Sequence, residues 1–342
     1  MKNWMKWICA ALLLYAGGMS LYLPMEPGGS MVQANDFMPG PNTFDLYGYA
    51  THFDESSDLQ VFVRNDSGQV FCSDILTKEA QHLQAVVILP ESIQSDRFSF
   101  YANSAIDGTI SAPGAISSKG FTMGSDATSC AVNIASENSA VNGIPYQPII
   151  IESMRNLMWH VPMWFTMFVL MFISFRYSMG QLMSKSLEDS QNADLRAASS
   201  AATGTVFCIL GLITGSVWAR FTWGAWWTSD PQLNGALVVA LMYGAYFVLR
   251  GSMQEEEKRA RLSAIFNIFA CVLMVMLLMV MPRFAEGLHP GKSGNPAFSQ
   301  YDLDSTLRIV FYPACAGFIL LGIWMYNLQF RINLLRNKML FE

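Results

Sequence analysis

"LMWHVPMWFTMFVLMFISF", Leu157–Phe175, runs for nineteen residues without a charged side chain. A membrane-spanning helix needs about 20 mostly apolar residues, so this stretch sets the fold class if others accompany it. Five do: Ile8–Leu23, Ala201–Ala219, Leu233–Leu249, Ser263–Met281 and Ile309–Leu328. The first is short, but Trp4 and Trp7 extend it at the interface, where tryptophan is favoured. Composition agrees. The 342-residue chain is 52% hydrophobic and 14% charged, whereas a soluble domain carries about 25% charged residues. A net charge of -5 argues against a nucleic-acid partner, which a basic patch would announce.

Lys and Arg placement orients the spans. With the N-terminus cytoplasmic, the inner side carries twelve, from Lys2 and Lys6 to Arg331, Arg336 and Lys338; the two short outer loops carry four, Arg220, Arg283, Lys292 and Arg308. That is the positive-inside bias. The expected fold is therefore an all-α polytopic membrane protein with six transmembrane helices, both ends inside, in a bacterial inner membrane and in contact with its lipid. The first run reads as a retained helix; a cleaved leader ending at Val32-Gln33-Ala34 is the alternative.

Working outward, the chain divides into residues 1–25 (first helix), 26–147 (an outer insert), 148–330 (a five-helix membrane core) and 331–342 (a cytoplasmic tail). The insert is rich in Ser, Gly, Asn and Asp. Its short β-branched or alternating runs, Leu59–Arg64, Ala85–Leu89 and Arg97–Ala102, predict a small all-β domain. Two of the six cysteines, Cys72 and Cys130, fall there, a pair suited to a disulfide in an oxidising compartment. The other four lie in apolar runs, where cysteine is a small hydrophobe. The segment Arg250–Ser263 reads as a charged helix extension with Glu255 and Arg259 at i,i+4 spacing. No CxxC or hydrolase motif is present.

Four histidines occur, and His160 and His289 are the informative ones. His160 lies at the outer end of the second helix, with Pro162 suited to its first turn. His289 lies in the last outer loop, "GLHPGKSGNP". The topology puts both on the side of a third segment, Arg220–Asn234, which holds Trp223, Trp226 and Trp227. Two imidazoles from separate segments suit a metal. Zinc wants three or four protein ligands, whereas haem iron needs two, because the porphyrin supplies four nitrogens. A porphyrin is also flat and apolar, the shape that tryptophan rings cover. Against this, tryptophans at membrane ends are ordinary interfacial residues, and a histidine at a helix end is commonly just hydrogen-bonded. On the residues alone both readings stand.

The stretch "WGAWWTSDPQLNG" resembles the tryptophan-rich signature of the haem-handling, CcmC-type proteins of cytochrome c maturation. In that family one histidine segment flanks the tryptophan loop on each side, and "HVPMW" around His160 and "LHPG" around His289 match them. The resemblance covers residues 1–25 and 148–330. It implies haem b held axially by His160 and His289 against a platform of Trp223, Gly224, Trp226, Trp227 and Asp230, with Arg220, Arg155, Arg283 or Arg308 available to a propionate. It also implies delivery of that haem to a periplasmic haem chaperone, beside ABC transporter subunits. This is a scaffold's role that counts as haem-lyase activity only by definition. Larger members carry a further histidine pair within the membrane; no histidine here lies deep in an apolar run. Two departures stand out: Ser229 replaces the tryptophan before the aspartate, and the outer insert is far larger than usual. Asp230 either stops the loop before the next helix or contacts haem or a partner. The competing readings are a haem-exporting transport subunit and a membrane-anchored docking protein.

Overall fold

The computed structural model describes residues 2–66, 68–90, 97–117, 143, 146, 151–285, 287–289 and 305–341. They fall into two compact units. One combines residues 1–22 with 155–342; the other is Leu23–Met154.

The first unit is helical. Its elements are α1 (Asn3–Tyr22), α2 (Leu157–Met183), α3 (Leu187–Thr222), α4 (Pro231–Ser252), α5 (Glu256–Val275), α6 (Met281–Phe284) and α7 (Ser305–Phe341). A π-helical turn, Met276–Val280, joins α5 to α6. Among the described residues six helices are long and apolar enough to span a membrane, α5 to α6 counting as one, one for each of the six apolar runs. The π turn has a local cause: Pro282 has no N–H, and its ring crowds the carbonyl four residues back.

Two expectations need correction. Pro162 is not in the first turn of α2 but inside the helix, because a 3-10 turn over Ile151–Asn156 starts the coil earlier. In the charged segment, Glu255 is the N-cap of α5, so the partner of Arg259 is Glu256, at 3.4 Å.

Small residues let the helices close in. A Cβ on Gly211 would lie 2.8 Å from Trp164 Cε2, and one on Gly215 would lie 2.8 Å from His160 Cε1. These two glycines, four apart, make a trough on α3 for the aromatic face of α2, a known way for membrane helices to approach. Helix α1 belongs to the same bundle: Cys9 Sγ donates to Gly317 O of α7 at 3.5 Å. Further along α2, Asn267 Nδ2 donates to Ser174 Oγ and Ser178 Oγ at 2.7 and 2.8 Å. Ser174 and Ser200 in turn donate to Ala197 O and Leu170 O across the α2–α3 contact. At the same end Arg250 donates twice to Asp194, at 2.6 and 2.9 Å, strapping α4 to α3.

The second unit is a seven-stranded antiparallel sheet: β1 (Gly28–Ala34), β2 (Gly40–Tyr49), β3 (Gln60–Asn65), β4 (Val70–Glu79), β5 (His82–Leu89), β6 (Arg97–Ser104) and β7 (Gly108–Ser117). The order β1-β2-β5-β4-β3-β6-β7 contains the Greek-key arrangement β6-β3-β4-β5. The edges nearly close into a barrel: a Cβ on Gly29 of β1 would sit 2.7 Å from Ser111 O of β7. Alternating inward residues fill the interior, with Phe37, Phe44, Phe98 and Phe100 at its centre. The three predicted runs fall in β3, β5 and β6. Strands β1, β2 and β7 begin at or contain Gly and Pro, which read locally as turns, and a register shift opposite Phe98/Phe100 accommodates those of β7. Val32-Gln33-Ala34 lies in β1, paired with β2. Cys72 is disulfide-bonded; Cys130 lies outside the described residues. Cys9, Cys208, Cys271 and Cys315 are free thiols.

Candidate haem site

Helix α3 ends where its sequence requires. Trp223 N–H still reaches Ala219 O at 2.8 Å, and Gly224 follows at φ +76°, the left-handed residue that closes many helices. A Cβ there would meet nothing within 4 Å, so the backbone angle, not space, calls for glycine. Arg220 reaches forward and donates to Gly224 O at 2.9 Å. Trp226 is 59% and Trp227 39% exposed, and Trp227 Nε1 donates to Asn234 Oδ1 at 3.1 Å. Ser229 is exposed. Thr228 Oγ1 is buried with no hydrogen-bond partner among the described residues.

Asp230 does two jobs at once. As the N-cap of α4 it accepts from the N–H groups of Gln232 and Leu233 at 2.9 and 3.1 Å, with Pro231 beginning the helix. This is the favoured capping chemistry. It also accepts from the N–H of Leu288 at 2.7 Å and from that of His289 at 3.3 Å. The His289 ring joins it, Nδ1 to Oδ1 at 2.7 Å. Burial works against the charge of this carboxyl, but His289 and the N–H groups of Leu288 and Leu233 outweigh it and hold the group below its ordinary value. Of the two readings open from sequence, the loop-stopping one is realised. The contact with His289 is additional.

His289 packs edge-on to Trp223, ring centres 5.0 Å apart, and lies 6.2 Å from Trp218 of α3. His160 of α2 packs against α3 one turn away. Its Nδ1 is 3.0 Å from Thr214 Oγ1, and its Nε2 accepts the Trp164 indole N–H at 3.2 Å. Residues 214, 215 and 218 share one face of α3, so both sequence-selected imidazoles abut that face below the tryptophan loop.

The sequence reading missed Thr214, Trp164 and Trp218, and it named Asp230 without its pairing with His289. The small-xxx-small spacing of Gly211 and Gly215 was the available signal for the trough. The Asp230–His289 pair had none, because the two are 59 positions apart. Among the candidate arginines, Arg155 donates to Ser20 O at 2.7 Å. His52 and His82 belong to the β unit, on Asp107 and Asp45 at 2.9 and 3.0 Å. No cluster of three or more metal-ligating side chains occurs among the described residues.

The donor set fits haem as a cargo. It offers two imidazoles, neither part of a fuller metal cluster, beside exposed indoles, and Asp230 on His289 is the outer carboxylate that metal-bound histidines commonly use.

Residues 129–341 match the CcmC family, described as heme exporter protein C. The chain is 28% identical over 145 residues to heme exporter protein C of Paracoccus denitrificans, covering 42% of this chain and 60% of that one. It is 27% identical over 180 residues to the Bradyrhizobium diazoefficiens protein of the same name, covering 52% and 66%. It is 36% identical over 103 residues to cytochrome c biogenesis protein CcsA of Prochlorococcus marinus, covering 29% and 31%. The chain thus spans about three fifths of the first relative's length and less than a third of the last. The family match begins after α1 and the sheet, at residue 129, and takes in the five spans that follow. With those five spans and both histidine segments inside the matched region, this multi-pass membrane protein belongs to the CcmC family, which handles haem in haem export and cytochrome c biogenesis.

Proposed function

We propose that the chain binds haem at the outer face of the inner membrane, through His160 and His289, and presents it to a periplasmic haem chaperone. The carrying observation is the meeting of His160 and His289 on one face of α3 beside an exposed tryptophan loop. Haem, when bound, would supply an iron centre for which His160 and His289 would be the protein ligands. The chain does the rest. Asp230 fixes the His289 ring, Trp223 backs it, and Trp226 and Trp227 offer apolar area to a porphyrin face. Thr228 Oγ1 is a polar group available to a propionate.

The outer placement follows from the Lys and Arg bias, and an even number of spans puts the insert, the tryptophan loop and the His289 segment on one side. ABC transporter subunits are the expected membrane partners. Along the α2–α3 contact Ser174 and Ser200 spend their hydroxyls on helix carbonyls, which does not favour a permeation path there.

The test is the absorption spectrum of the purified full chain supplied with haemin, for wild type, His160→Ala, His289→Ala and the double variant. A Soret band with six-coordinate low-spin features, lost in the double variant, is the expected result. An unchanged spectrum in the double variant removes the ligand assignment.

A further inference from the structure

The geometry points to an unequal pair of ligands: His289 is the anchoring imidazole and His160 the exchangeable one, with Trp164 as the donor that reclaims its nitrogen. This rests on the haem-binding reading and deepens it.

The two rings are held in chemically different ways. His289 has Nδ1 on a buried carboxylate at 2.7 Å. A charge-assisted bond there increases the electron density that the other ring nitrogen gives to a metal. Asp230 is itself fixed by the N–H groups of Leu288, Gln232 and Leu233. The ring is therefore oriented before any ligand arrives.

His160 has both ring nitrogens on neutral side chains. Thr214 Oγ1 lies 2.9 Å from Leu210 O and donates to it, so its lone pair takes the imidazole N–H. That fixes the tautomer with the lone pair on Nε2, the nitrogen a metal would use. The same Nε2 accepts the Trp164 indole N–H. The indole is seated in the α3 trough against Gly211, so it stays at hand when the His160 ring turns Nε2 away from it.

Ligation by His160 exchanges one bond for another. The Nε2–iron bond forms as the Nε2···H–N bond of Trp164 breaks. On release the electron pair stays with Nε2, which accepts the indole again. No electron or proton is transferred, so the exchange needs no co-reactant. A neutral hydrogen bond contributes about 0.5–1.5 kcal/mol, which corresponds to roughly a three- to tenfold bias toward letting go. His160 is thus the side on which haem opens to an incoming ligand from an acceptor protein. Trp164, Thr214 and Asp230 are positioning residues in this scheme.

The experiment loads the full chain with haemin in detergent and follows haem loss to excess apomyoglobin, with the spectrum as a second readout. Trp164→Phe keeps the ring and removes the donor; loss slows about three- to tenfold and the low-spin spectrum stays. Thr214→Val frees the tautomer and speeds loss, the opposite sign. General damage to packing would weaken both variants alike. His160→Gly keeps haem in five-coordinate form and regains six-coordination with added imidazole, whereas His289→Gly loses haem. Loss from Trp164→Phe at the wild-type rate or faster, or better retention by His289→Gly than by His160→Gly, overturns the inequality while leaving haem binding intact. A wild type that takes up no haemin overturns the parent reading, and the inference with it.

Discussion

At one end of the helical unit Asp194 faces Arg250 in a double hydrogen bond, 2.6 and 2.9 Å long. At the other end Asp230 faces His289 at 2.7 Å and three backbone N–H groups at 3.1 Å or less. Helix α4 runs between them; Asp230 caps its start and Arg250 lies in its last turn. At 1.5 Å per residue the two pairs stand about 30 Å apart, the thickness of a hydrocarbon core. Both aspartates are buried, at 7% and 3% exposure. Arginine cannot be deprotonated and binds a carboxylate with a rigid fork. Histidine changes charge near neutrality and takes metals. One end holds two helices in register; the other holds a ligand-bearing segment against a loop.

The comparison is broken most severely at the fixed end. Arg250→Leu leaves the buried Asp194 carboxylate without its partner and destabilises the bundle by about 3–5 kcal/mol. Unfolding in mixed detergent micelles measures this, and the double variant with Asp194→Leu recovers most of it. At the other end Asp230→Asn keeps a competent N-cap but withdraws the carboxylate from His289. Haem affinity falls about 10- to 100-fold, read by haemin titration. The same carboxylate gives a pH signature. Its folded value is lowered, so its stabilisation is present above the ordinary carboxylate pKa of about 3.9 and lost as pH falls through the lowered value.

Smaller effects sharpen the contrast. Gly224→Ala places a side chain at φ +76° and costs about 1 kcal/mol, seen as faster hydrogen exchange confined to the end of α3. Smallest is the effect at His52, a half-buried histidine of the β unit. Hydrogen bonding to Asp107 raises the His52 pKa against the opposing effect of burial, helped by the charges of Asp107, Glu55 and Asp54. That stabilisation is present below about pH 6.5 and fades as pH rises through the raised value. NMR titration of His52 returns toward the ordinary value in Asp107→Asn.

How far the sequence could be read depends on the range of the interaction. The six spans were legible because hydropathy is local and each run marks the apolar part of one helix. The tryptophan loop and both histidines were legible as a constellation, since alternating spans bring distant segments to one side. What could not be read was pairing across that constellation. Asp230 announced itself as a helix cap from its neighbour Pro231, yet nothing near it in the chain names His289. Trp164, a ring within an aromatic run, had nothing near it in the chain to mark its place; the Gly211–Gly215 trough shows where it lies. In the insert, β3, β5 and β6 carried β-branched alternation, whereas β1 and β7 are strands whose glycines and proline serve a bulge and a close edge contact.

Arg155 carries a consequence beyond its own hydrogen bond. Its guanidinium donates to Ser20 O at 2.7 Å, so the end of α1 and the start of the α2 segment lie within one side chain's reach. The 132 residues Leu23–Met154 between them form their own compact unit. For the helical bundle, that whole unit is a loop whose ends are already clipped together. Loop-closure entropy rises only with the logarithm of length, so its size weighs little on the helices. Such a clip makes the insert exchangeable cargo in the architectural sense: a short Gly/Ser bridge from residue 22 to residue 155 leaves the six-helix packing intact, and a different module could hang from the same two points.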